Sequence, residues 1–427
     1  MRLSQFIAAA SMVLAGGHAS AAPHLKYVIT NISVTDLGTL LGSSSDDYSV
    51  AEDINDFGDI VGYSETLNNK KHAFIYTGGQ MYDIQGPGPE FVDADAHAIN
   101  NSRVVVGEYR DPFVASANSR RAFYYYPGIW MTPIPKAVNL WTAWSDAAQG
   151  INDAGSIVGW SRSYGLYDGP YINPLGFCTK DLAVRWTHWS TTPANLFCTP
   201  NLPQNGQQPL SGPPPIAYDI NSAGNIVGAD GGLTPQGMFL WNAAQQVMMA
   251  VPTFDGAEVE VPDEPPNKLF GVARGLNDQN WVVGAWGYVN NKPYGPRRAF
   301  VWDGTSSKAQ ALGALPGGWE SEAEEINNQY MVAGWAERDW IINYQGHKHP
   351  MGFIWHPDFG MVALPGISGT FVPNTPLPAF VPNECEAYSL NDRKPTGGLV
   401  QVVGKCDTKS QAHAVRWDIT VQVQLVP

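Results

Sequence analysis

The sequence predicts an all-β fold, and two observations carry that prediction: the composition of the chain and a unit that recurs seven times. Of 427 residues, 44 are Gly and 33 are Pro, and charged residues make up only 15%, against roughly 25% in ordinary soluble domains. This composition excludes a coiled coil or helix bundle, which is rich in Ala, Glu, Lys and Leu. Apolar residues make up 44%, enough to bury a large core, so disorder is excluded as well.

A phrase that begins with Ala, continues with Ile-Asn or Leu-Asn and ends with Gly recurs seven times, first from Ala51 to Gly62. The asparagines of the seven copies are Asn55, Asn100, Asn152, Asn221, Asn277, Asn327 and Asn391. A second phrase follows each copy, and its seven versions start at His72, Arg121, Leu182, Gly237, Arg298, Met351 and His413 with sequences such as His-Ala-Phe and Arg-Ala-Phe. The strict alternation of the two phrases predicts a repeat architecture.

Each unit has the features of four strands. Turn-forming Asn-x-x-Gly segments, with Gly at a positive φ, separate runs that contain β-branched or aromatic residues. The second phrase supplies a third strand, and a fourth follows a turn that contains Gly, as in 80–84 and 360–364. Seven such units predict a seven-bladed β-propeller of four-stranded antiparallel blades, because radial packing leaves few exposed sheet edges. A β-helix is the alternative, but its rungs are shorter and lack this hairpin pattern.

Closure of the ring is predicted from the N-terminal strand. The segment from Val34 to Gly38 resembles the fourth strand of a unit but precedes the first full unit. We therefore expect it to complete the seventh blade and to tie the two ends of the chain together. The tail 419–426 alternates as a strand, and the sequence leaves open whether this tail competes with the N-terminal strand or extends the blade.

Residues 1–21 resemble a secretory signal peptide. Arg2 is the only early charge, a mostly apolar run extends from Phe6 to Leu14, and small residues precede a cut ahead of Ala22. Residues 22–427 are then expected to form a single propeller domain that is secreted, either extracellular or periplasmic. No stretch approaches the length of a membrane span, and the formal net charge of −14 argues against a nucleic-acid partner.

Export permits disulfides, and four cysteines allow three connectivities. Cys385 lies two residues before the repeat Ala of unit seven and Cys406 two residues after its Gly, so the two are expected to face each other across a hairpin. Cys178 and Cys198 flank the third and fourth strands of unit three and are expected to clip that hairpin. A free reactive thiol is the alternative, and no Cys-x-x-Cys motif of the metal-binding type is present.

The repeated phrases resemble those of the extracellular HAF-repeat family, which is named for its His-Ala-Phe signature. His72-Ala73-Phe74 matches the signature, and the segment from Asp36 to Leu40 matches the family's Asp-Leu-Gly-Thr-Leu. The resemblance covers nearly all of residues 22–427, although units three and seven depart from it with Ala-Val-Arg-Trp. It implies an exported bacterial protein of repeat architecture, and it supplies no catalytic motif.

The residue after each repeat Ala varies sharply while its neighbours do not. The seven residues at this position are Glu52, His97, Gln149, Tyr218, Arg274, Glu324 and Tyr388. All are polar or aromatic and lie on the strand expected nearest the central channel, where such a ring can bind a polar ligand. The alternative is that they solvate a water-filled channel or contact the next blade.

Long insertions fall in the loops that are expected on one face, which suggests that binding takes place there. These insertions are 162–180, 199–215, 252–268, 337–350 and 367–384. The loops of this face and their flanks also carry Trp160, Trp286, Trp319, Trp335 and Trp340. Exposed aromatic rings suit stacking on sugars, whereas the structural alternative is that these side chains cap the gaps between blades.

No cofactor or metal site is predicted. His347, His349 and His356 offer imidazoles, but no carboxylate or cysteine completes a recognisable ligand set. The acidic segment 258–264, with Asp255 nearby, attracts cations but lacks the ordered spacing of a calcium loop. A Ca²⁺ site is therefore not supported.

The leading hypothesis is a secreted binding or scaffold module that recognises a carbohydrate, such as a polysaccharide, or an extracellular protein at a surface. It rests on the predicted export, the rigid architecture and the lack of motifs for hydrolases, kinases and dinucleotide enzymes. The alternative is an extracellular polysaccharide-degrading enzyme of the lyase type with its site at the central channel. Arg274 would neutralise a uronate there, and His97 with Tyr218 or Tyr388 would move the proton. The sequence leaves open whether the protein is an enzyme.

Overall fold

The computed structural model describes residues 24–42, 47–66, 70–86, 92–111, 119–135, 143–163, 171–173, 176–188, 194–200, 215–230, 237–254, 270–288, 297–338, 349–367, 384–392, 398–408 and 411–426. These residues form antiparallel β-strands that are grouped into seven sheets. Within them, no helix is long and apolar enough to cross a membrane. The predicted signal peptide, 1–21, lies outside the described residues.

The strands follow the sequence repeat. The N-terminal strand is β1 (His24–Gly38). Blade 1 contains β2 (Ser49–Ile54), β3 (Ile60–Thr66), β4 (Lys70–Thr77) and β5 (Gln80–Asp83), and blade 2 contains β6 (Val92–Ile99), β7 (Val105–Arg110), β8 (Arg120–Tyr126) and β9 (Ile129–Pro133). Blade 3 contains β10 (Ala143–Ile151), β11 (Ile157–Ser163), β12 (Tyr171–Asn173), β13 (Gly176–Trp186) and β14 (Ala194–Pro200). Blade 4 contains β15 (Ile216–Ile220), β16 (Ile226–Ala229), β17 (Met238–Asn242) and β18 (Val247–Ala250).

The remaining blades have the same plan. Blade 5 contains β19 (Phe270–Leu276), β20 (Val282–Tyr288), β21 (Arg298–Trp302) and β22 (Gln310–Gly313), and blade 6 contains β23 (Ser321–Ile326), β24 (Val332–Arg338), β25 (His349–His356) and β26 (Gly360–Ala363). Blade 7 contains β27 (Cys385–Leu390), β28 (Leu399–Asp407), β29 (Ala412–Val426) and the N-terminal strand β1.

The seven sheets close into a ring. The first strand of each blade contacts the first strand of the next blade, and the series returns from β27 to β2. In blades 1, 2, 4, 5 and 6, the other strands follow outward in chain order. The fold is therefore the predicted seven-bladed β-propeller. Blade 3 adds one strand to the plan, because β12 pairs with β13 inside a loop insertion.

The N-terminal strand closes the ring as the outermost strand of blade 7. Strand β1 pairs with β29 from His24 opposite Val426 to Gly38 opposite Ala414. The C-terminal tail does not compete for this place, since it is the continuation of the third strand of the same blade. This answers the question that the sequence left open: the tail lengthens the third strand, and the N-terminal strand completes the blade.

The repeat glycine is required by a close approach between the first two strands of each blade. A Cβ on Gly284 would lie 2.0 Å from the carbonyl oxygen of Val272, far inside van der Waals contact. The same contact, at 1.9–2.1 Å, recurs at Gly62, Gly107, Gly159, Gly228, Gly334 and Gly404. Directly after the repeat Ala, the inner strand of every blade then shifts register by one residue. Each blade thus contains a β-bulge at the same position.

The repeat asparagine links neighbouring blades. In blade 5, the Asn277 Oδ1 accepts hydrogen bonds from the backbone N–H groups of Gln279 (3.1 Å) and Trp281 (2.9 Å), while its Nδ2 donates to the carbonyl of Asn327 in blade 6 (3.2 Å). Equivalent Nδ2 bonds to the next asparagine carbonyl, at 3.0–3.2 Å, are made by Asn55, Asn100, Asn152, Asn221 and Asn327. Asn391 departs from the pattern and donates to Gln401 of its own blade. The asparagine thus shapes the turn and binds the next blade.

In the six blades whose asparagine turn lies within the described residues, that turn contains one left-handed residue, which is the predicted Gly in three of them. These glycines are Gly58, Gly155 and Gly224, with φ of 80–82°. In blades 2, 5 and 6, Arg103, Asn280 and Tyr330 take the same conformation, with φ of 62–65°. Each of these larger side chains contacts the preceding blade. Arg103 binds Asp59, Asn280 binds Asn221, and Tyr330 packs on Trp281. In each of these turns where a residue other than Gly takes the strained left-handed conformation, its side chain therefore makes a contact between blades.

The second phrase fills the gaps between blades. The side chains of Phe74, Phe123, Phe239, Phe300 and Phe353 are almost fully buried. In blades 3 and 7, where Val replaces Phe, Trp186 and Trp417 at the end of the phrase are fully buried instead. Their Nε1 atoms donate to the carbonyls of Pro135 (2.9 Å) and Pro365 (2.7 Å). The departure from the His-Ala-Phe pattern thus leaves the packing intact.

The structure contains the predicted Cys385–Cys406 disulfide. The two residues are opposite each other on β27 and β28, with a Cα–Cα distance of 4.1 Å. The prediction came from the position of the pair relative to the repeat Ala and Gly, and the register confirms that reasoning. The side chains of Cys178 and Cys198 lie outside the described residues, so that bridge stays a prediction.

The hydrogen bonds that the repeat asparagines donate to the next blade generate a prediction about stability. Asn277→Asp keeps the acceptor of the turn but removes the donor to Asn327, so we expect a loss of about 1–3 kcal/mol in the free energy of unfolding. Chemical denaturation measures this loss. Gln245→Glu, at an exposed position, adds the same charge and is expected to change stability little. Equal stability of both variants would show that the bond to the next blade contributes nothing.

The close approach at the repeat glycine generates a second prediction. Gly284→Ala places a Cβ against the Val272 carbonyl, and we expect a loss of about 3 kcal/mol or more, the upper end of overpacking. Gly352→Ala is the matched control. A Cβ there meets its nearest atoms at 3.4 Å, and most other blades carry Ala at this place, so its effect should be small. Similar melting temperatures for both variants would contradict the steric argument.

Candidate functional site

The seven residues that follow the repeat alanines meet in one cavity at the centre of the ring. The cavity has a volume of about 430 Å³ and is lined by all seven: Glu52, His97, Gln149, Tyr218, Arg274, Glu324 and Tyr388. Each is the extra residue of its β-bulge and is partly buried. We call this set the bulge ring. The structure therefore brings together every ligand-binding residue that the sequence predicted, in a space that small-molecule sites typically occupy.

Arg274 is held by carboxylates on its own side of the ring. Its guanidinium lies 3.1 Å from Glu322 and 3.5 Å from Glu324, and Arg297 also binds Glu322 at 2.6 Å. The pKa of Glu324 is raised to about 8, first by desolvation and then by the nearby Glu322, while Arg274 opposes both effects. The pKa of Glu322 is lowered because the two arginines outweigh its burial. Arg274 thus reaches the cavity already paired.

Three tyrosines that line the cavity each have a basic group near the ring. The guanidinium of Arg274 lies 4.6 Å from the Tyr218 ring centroid, Lys71 Nζ 3.9 Å from Tyr63, and Lys405 Nζ 6.0 Å from Tyr388. The Tyr388 hydroxyl donates to Glu386 at 2.5 Å. Burial raises the pKa of the Tyr388 phenol well above its usual value, and Glu386 adds to this effect. Tyr388 is therefore a neutral hydrogen-bonding group and an unsuitable base.

The imidazole of His97 is oriented by the next blade. Its Nδ1 lies 2.9 Å from the carbonyl oxygen of Ala148 and 3.1 Å from the Gln149 Nε2. A carbonyl oxygen only accepts, so the contact with Ala148 requires a hydrogen on Nδ1, which then cannot also accept from the Gln149 amide. Neighbouring members of the bulge ring thus contact each other, which is the alternative role that the sequence left open, as well as lining the cavity.

A second set of acids lies one residue further along the inner strands, towards the asparagine turns. These turn-side acids are Asp53, Asp219 and Glu325, and they line the same cavity. Asp53 accepts from the N–H of Ile99 in the next blade at 2.8 Å, and Asp219 does the same with Leu276 at 2.8 Å. These acids were not among the residues predicted from the sequence, although the position two residues after each repeat Ala also varies between acids and small residues.

Burial makes the turn-side acids weak. It raises the pKa of Asp219 to about 7, with a further contribution from Asp53. It also raises the pKa of Asp53 and, together with Asp219, holds the pKa of Glu325 well above its ordinary value of 4.5. Asp392, which also lines the cavity, has its pKa raised to about 6 for the same reason. This side of the channel therefore holds carboxyl groups that resist ionisation.

Other sequence candidates lie elsewhere. Trp319 is 65% exposed, Trp286 is buried, and Trp160 and Trp335 are partly buried; none of these four lines the cavity. Trp340, His347 and the acidic segment 258–264 lie outside the described residues, as do most of the insertions 199–215, 252–268, 337–350 and 367–384 and part of 162–180. Binding on the face that carries the long insertions therefore stays a prediction.

Two of the three candidate histidines lie far apart along one strand. His349 and His356 stand at opposite ends of β25, so the strand separates them by roughly 20 Å. His356 is buried between Tyr27 and Phe359, and desolvation lowers its pKa. His356 therefore has a packing role.

Comparison with known proteins identifies the fold and no family. No family model matches the chain, and no curated protein matches it. An oligogalacturonate lyase from Vibrio parahaemolyticus is similar in structure, with a TM-score of 0.50 and 9% identity over 93% of this chain and 96% of that chain. A protein of unknown function from Dyadobacter fermentans has a TM-score of 0.38 and 9% identity, covering 93% and 100% of the two chains. A six-bladed fucose-recognising lectin from Aleuria aurantia has a TM-score of 0.34 and 9% identity, covering 78% and 97%.

At such identities the likeness shows a shared propeller fold alone. The resemblance to the HAF-repeat family remains an expectation from the sequence.

The raised pKa values predict how stability depends on pH. A buried acid whose folded pKa exceeds its unfolded value stabilises the protein below the unfolded pKa and loses that contribution as pH rises through the folded pKa. We therefore expect the free energy of unfolding to fall between about pH 5 and about pH 8. Glu325→Gln removes one such group, and we expect it to raise stability by about 2 kcal/mol at the upper pH, with little effect at the lower.

The matched control for this measurement is Glu65→Gln on β3, outside the cavity. Thermal and chemical denaturation at the two pH values provide the comparison. A wild-type protein that gains stability towards high pH, or a Glu325→Gln variant with an unchanged pH profile, would contradict the raised pKa values.

Proposed function

We propose that the protein is an exported binding module that holds a neutral carbohydrate in its central cavity. The observation that carries the proposal is the convergence of the whole bulge ring on one space of about 430 Å³. A pocket of this volume suits a small ligand, and a few placed polar groups fix its orientation. The expected export and the repeat resemblance place such binding outside the cytoplasm.

The lining suits hydroxyl groups. Gln149 offers an amide, His97 an imidazole nitrogen, and Glu52 a carboxyl group whose pKa is raised by burial. An amide both donates and accepts hydrogen bonds, and so does a protonated carboxyl group. Sugar hydroxyls do the same. The rings of Tyr218 and Tyr388 add apolar surface for a sugar ring to contact.

The charge of the cavity favours a neutral ligand over an anionic one. Its described lining includes ten carboxyl groups and a single arginine; the acids are Glu52, Asp53, Asp56, Asp95, Asp153, Asp219, Asp278, Glu324, Glu325 and Asp392. The arginine, Arg274, is paired with Glu322 and Glu324. A uronate would have to displace these partners, and ionisation of any carboxyl group around it would add repulsion.

The same arrangement argues against the lyase hypothesis at this site. A lyase requires a free cation to neutralise the uronate and a base to remove a proton. Arg274 is already paired with Glu322 and Glu324, and Tyr388, whose hydroxyl donates a hydrogen bond to Glu386, is an unsuitable base. The similarity to an oligogalacturonate lyase concerns the fold and does not supply these groups.

Isothermal titration with neutral oligosaccharides tests the proposal. We expect Glu52→Ala and Gln149→Ala to weaken binding about tenfold each, since each variant removes hydrogen bonds to a buried ligand. Tyr82→Ala on the outer strand of blade 1, an exposed position, is the matched control and should bind as the wild type does. Retained affinity in both cavity variants would place the ligand elsewhere.

Uronate oligomers form the second arm of the experiment. We expect neither tight binding nor an increase in ultraviolet absorbance from an unsaturated product. Cleavage of a uronate polymer that is lost in Arg274→Ala and His97→Ala would overturn the binding proposal in favour of the enzyme.

A further inference from the structure

Beside the sugar-sized cavity, three side chains of blade 2 form a cluster of potential metal ligands. Asp95, His97 and Glu108 each offer one donor atom, and the three atoms lie within 4.8 Å of one another. Asp95 and His97 are two residues apart on β6, and Glu108 is directly opposite Asp95 on β7. The cluster therefore rests on two paired strands of a rigid blade, and Asp95 and His97 line the cavity.

The two carboxylates of this cluster require a cation. Like charges directly opposite each other on neighbouring strands destabilise a sheet, yet Asp95 and Glu108 are in register. The ammonium of Lys71 lies 2.8 Å from Asp95 Oδ1 and 2.9 Å from its Oδ2, and Arg120 lies 3.4 Å from Glu108. Each of the two carboxylates is thus paired with a basic side chain.

Lys71 is a replaceable cation. Its side chain is 33% exposed, whereas that of Asp95 is 12% exposed. A lysine is a flexible chain that can carry its charge into solvent, while the carboxylate is fixed in the blade. A metal ion that took the place of the ammonium would retain the charge balance at Asp95 and gain the donors of His97 and Glu108.

His97 has the second partner that a metal-binding imidazole commonly has. Its Nδ1–H donates to the Ala148 carbonyl of blade 3 at 2.9 Å. Such a bond fixes the ring and its tautomer and leaves Nε2 for coordination. Among the seven members of the bulge ring, His97 is the single imidazole.

We propose that Asp95, His97 and Glu108 bind a divalent transition metal such as Zn²⁺ or Mn²⁺, and that Lys71 neutralises Asp95 in the metal-free protein. One imidazole and two carboxylates are ligands that these ions accept, and coordination positions facing the cavity remain open to water or to a ligand oxygen. Nitrogen ligation favours such an ion over Ca²⁺, which takes oxygen ligands.

Titration of the tag-free protein with Zn²⁺ and with Mn²⁺ tests this site. We expect one ion per chain and affinity at least about tenfold weaker in His97→Ala and Glu108→Gln. Lys71→Met removes the competing ammonium and should bind more tightly than the wild type. His72→Ala, which removes an imidazole paired with Asp83 at the outer side of blade 1, should bind as the wild type does.

The direction of the Lys71→Met effect makes the test specific. A merely structural cluster predicts that removing the cation destabilises the protein and creates no metal affinity. Absence of binding in both the wild type and Lys71→Met, or equal affinity in all variants, would overturn the proposal. Because the ion is the only probe, the result is independent of whether the cavity binds a sugar.

Discussion

The structure depends on one steric constraint, the contact of the repeat glycine with the carbonyl group of the inner strand. At all seven places, this contact leaves no room for a Cβ, and the inner strand takes an extra residue directly beside it. The bulge turns that residue towards the channel whatever its side chain is. The scaffold therefore fixes where the seven side chains point, while their chemistry remains free to vary.

Much of this could be predicted from the sequence because the constraint leaves a local signal. Ala and Asn stand at constant spacing in all seven units, and Gly follows Asn at constant spacing in all but the seventh. This pattern predicts the blades, the bulge ring and the position of Cys385 opposite Cys406. The second role of the asparagine could not be predicted, because the carbonyl that accepts from its Nδ2 belongs to the next blade, 45 to 69 residues away. The basic partners of the cavity were missed for the same reason: Lys71 lies on the third strand of blade 1, and its partner Asp95 lies in blade 2.

The signature residues of the second phrase also show how the ring closes. In blade 1, His72 Nδ1 lies 2.7 Å from Asp83 on the outer strand of the same blade. In blade 7, the equivalent His413 lies 3.0 Å from Asp36, a residue 377 positions away on the N-terminal strand. In both blades the aspartate also accepts from a backbone N–H two residues later, that of Gln85 or Gly38. Blade 7 thus repeats, between the two ends of the chain, the His–Asp interaction that blade 1 makes between neighbouring strands of one continuous segment.

The channel combines this regular scaffold with an irregular distribution of charge. At the position two residues after the repeat Ala, four blades carry the small residues Ala98, Gly150, Gly275 and Ser389, and three carry Asp53, Asp219 and Glu325. A Cβ on Gly275 would lie 2.8 Å from Glu325, so the small residues make room for the acids.

Small side chains at all seven positions would avoid the cost of burying carboxyl groups. The acids do bind the backbone of the next blade, but they hold their protons to unusually high pH as a result of burial. Perturbed carboxyl groups of this kind gather at binding and catalytic sites more often than elsewhere. The free-energy cost of burying carboxyl groups is therefore concentrated where the bulges already direct side chains into one cavity. A ligand that binds in this cavity can restore the stability that is lost there.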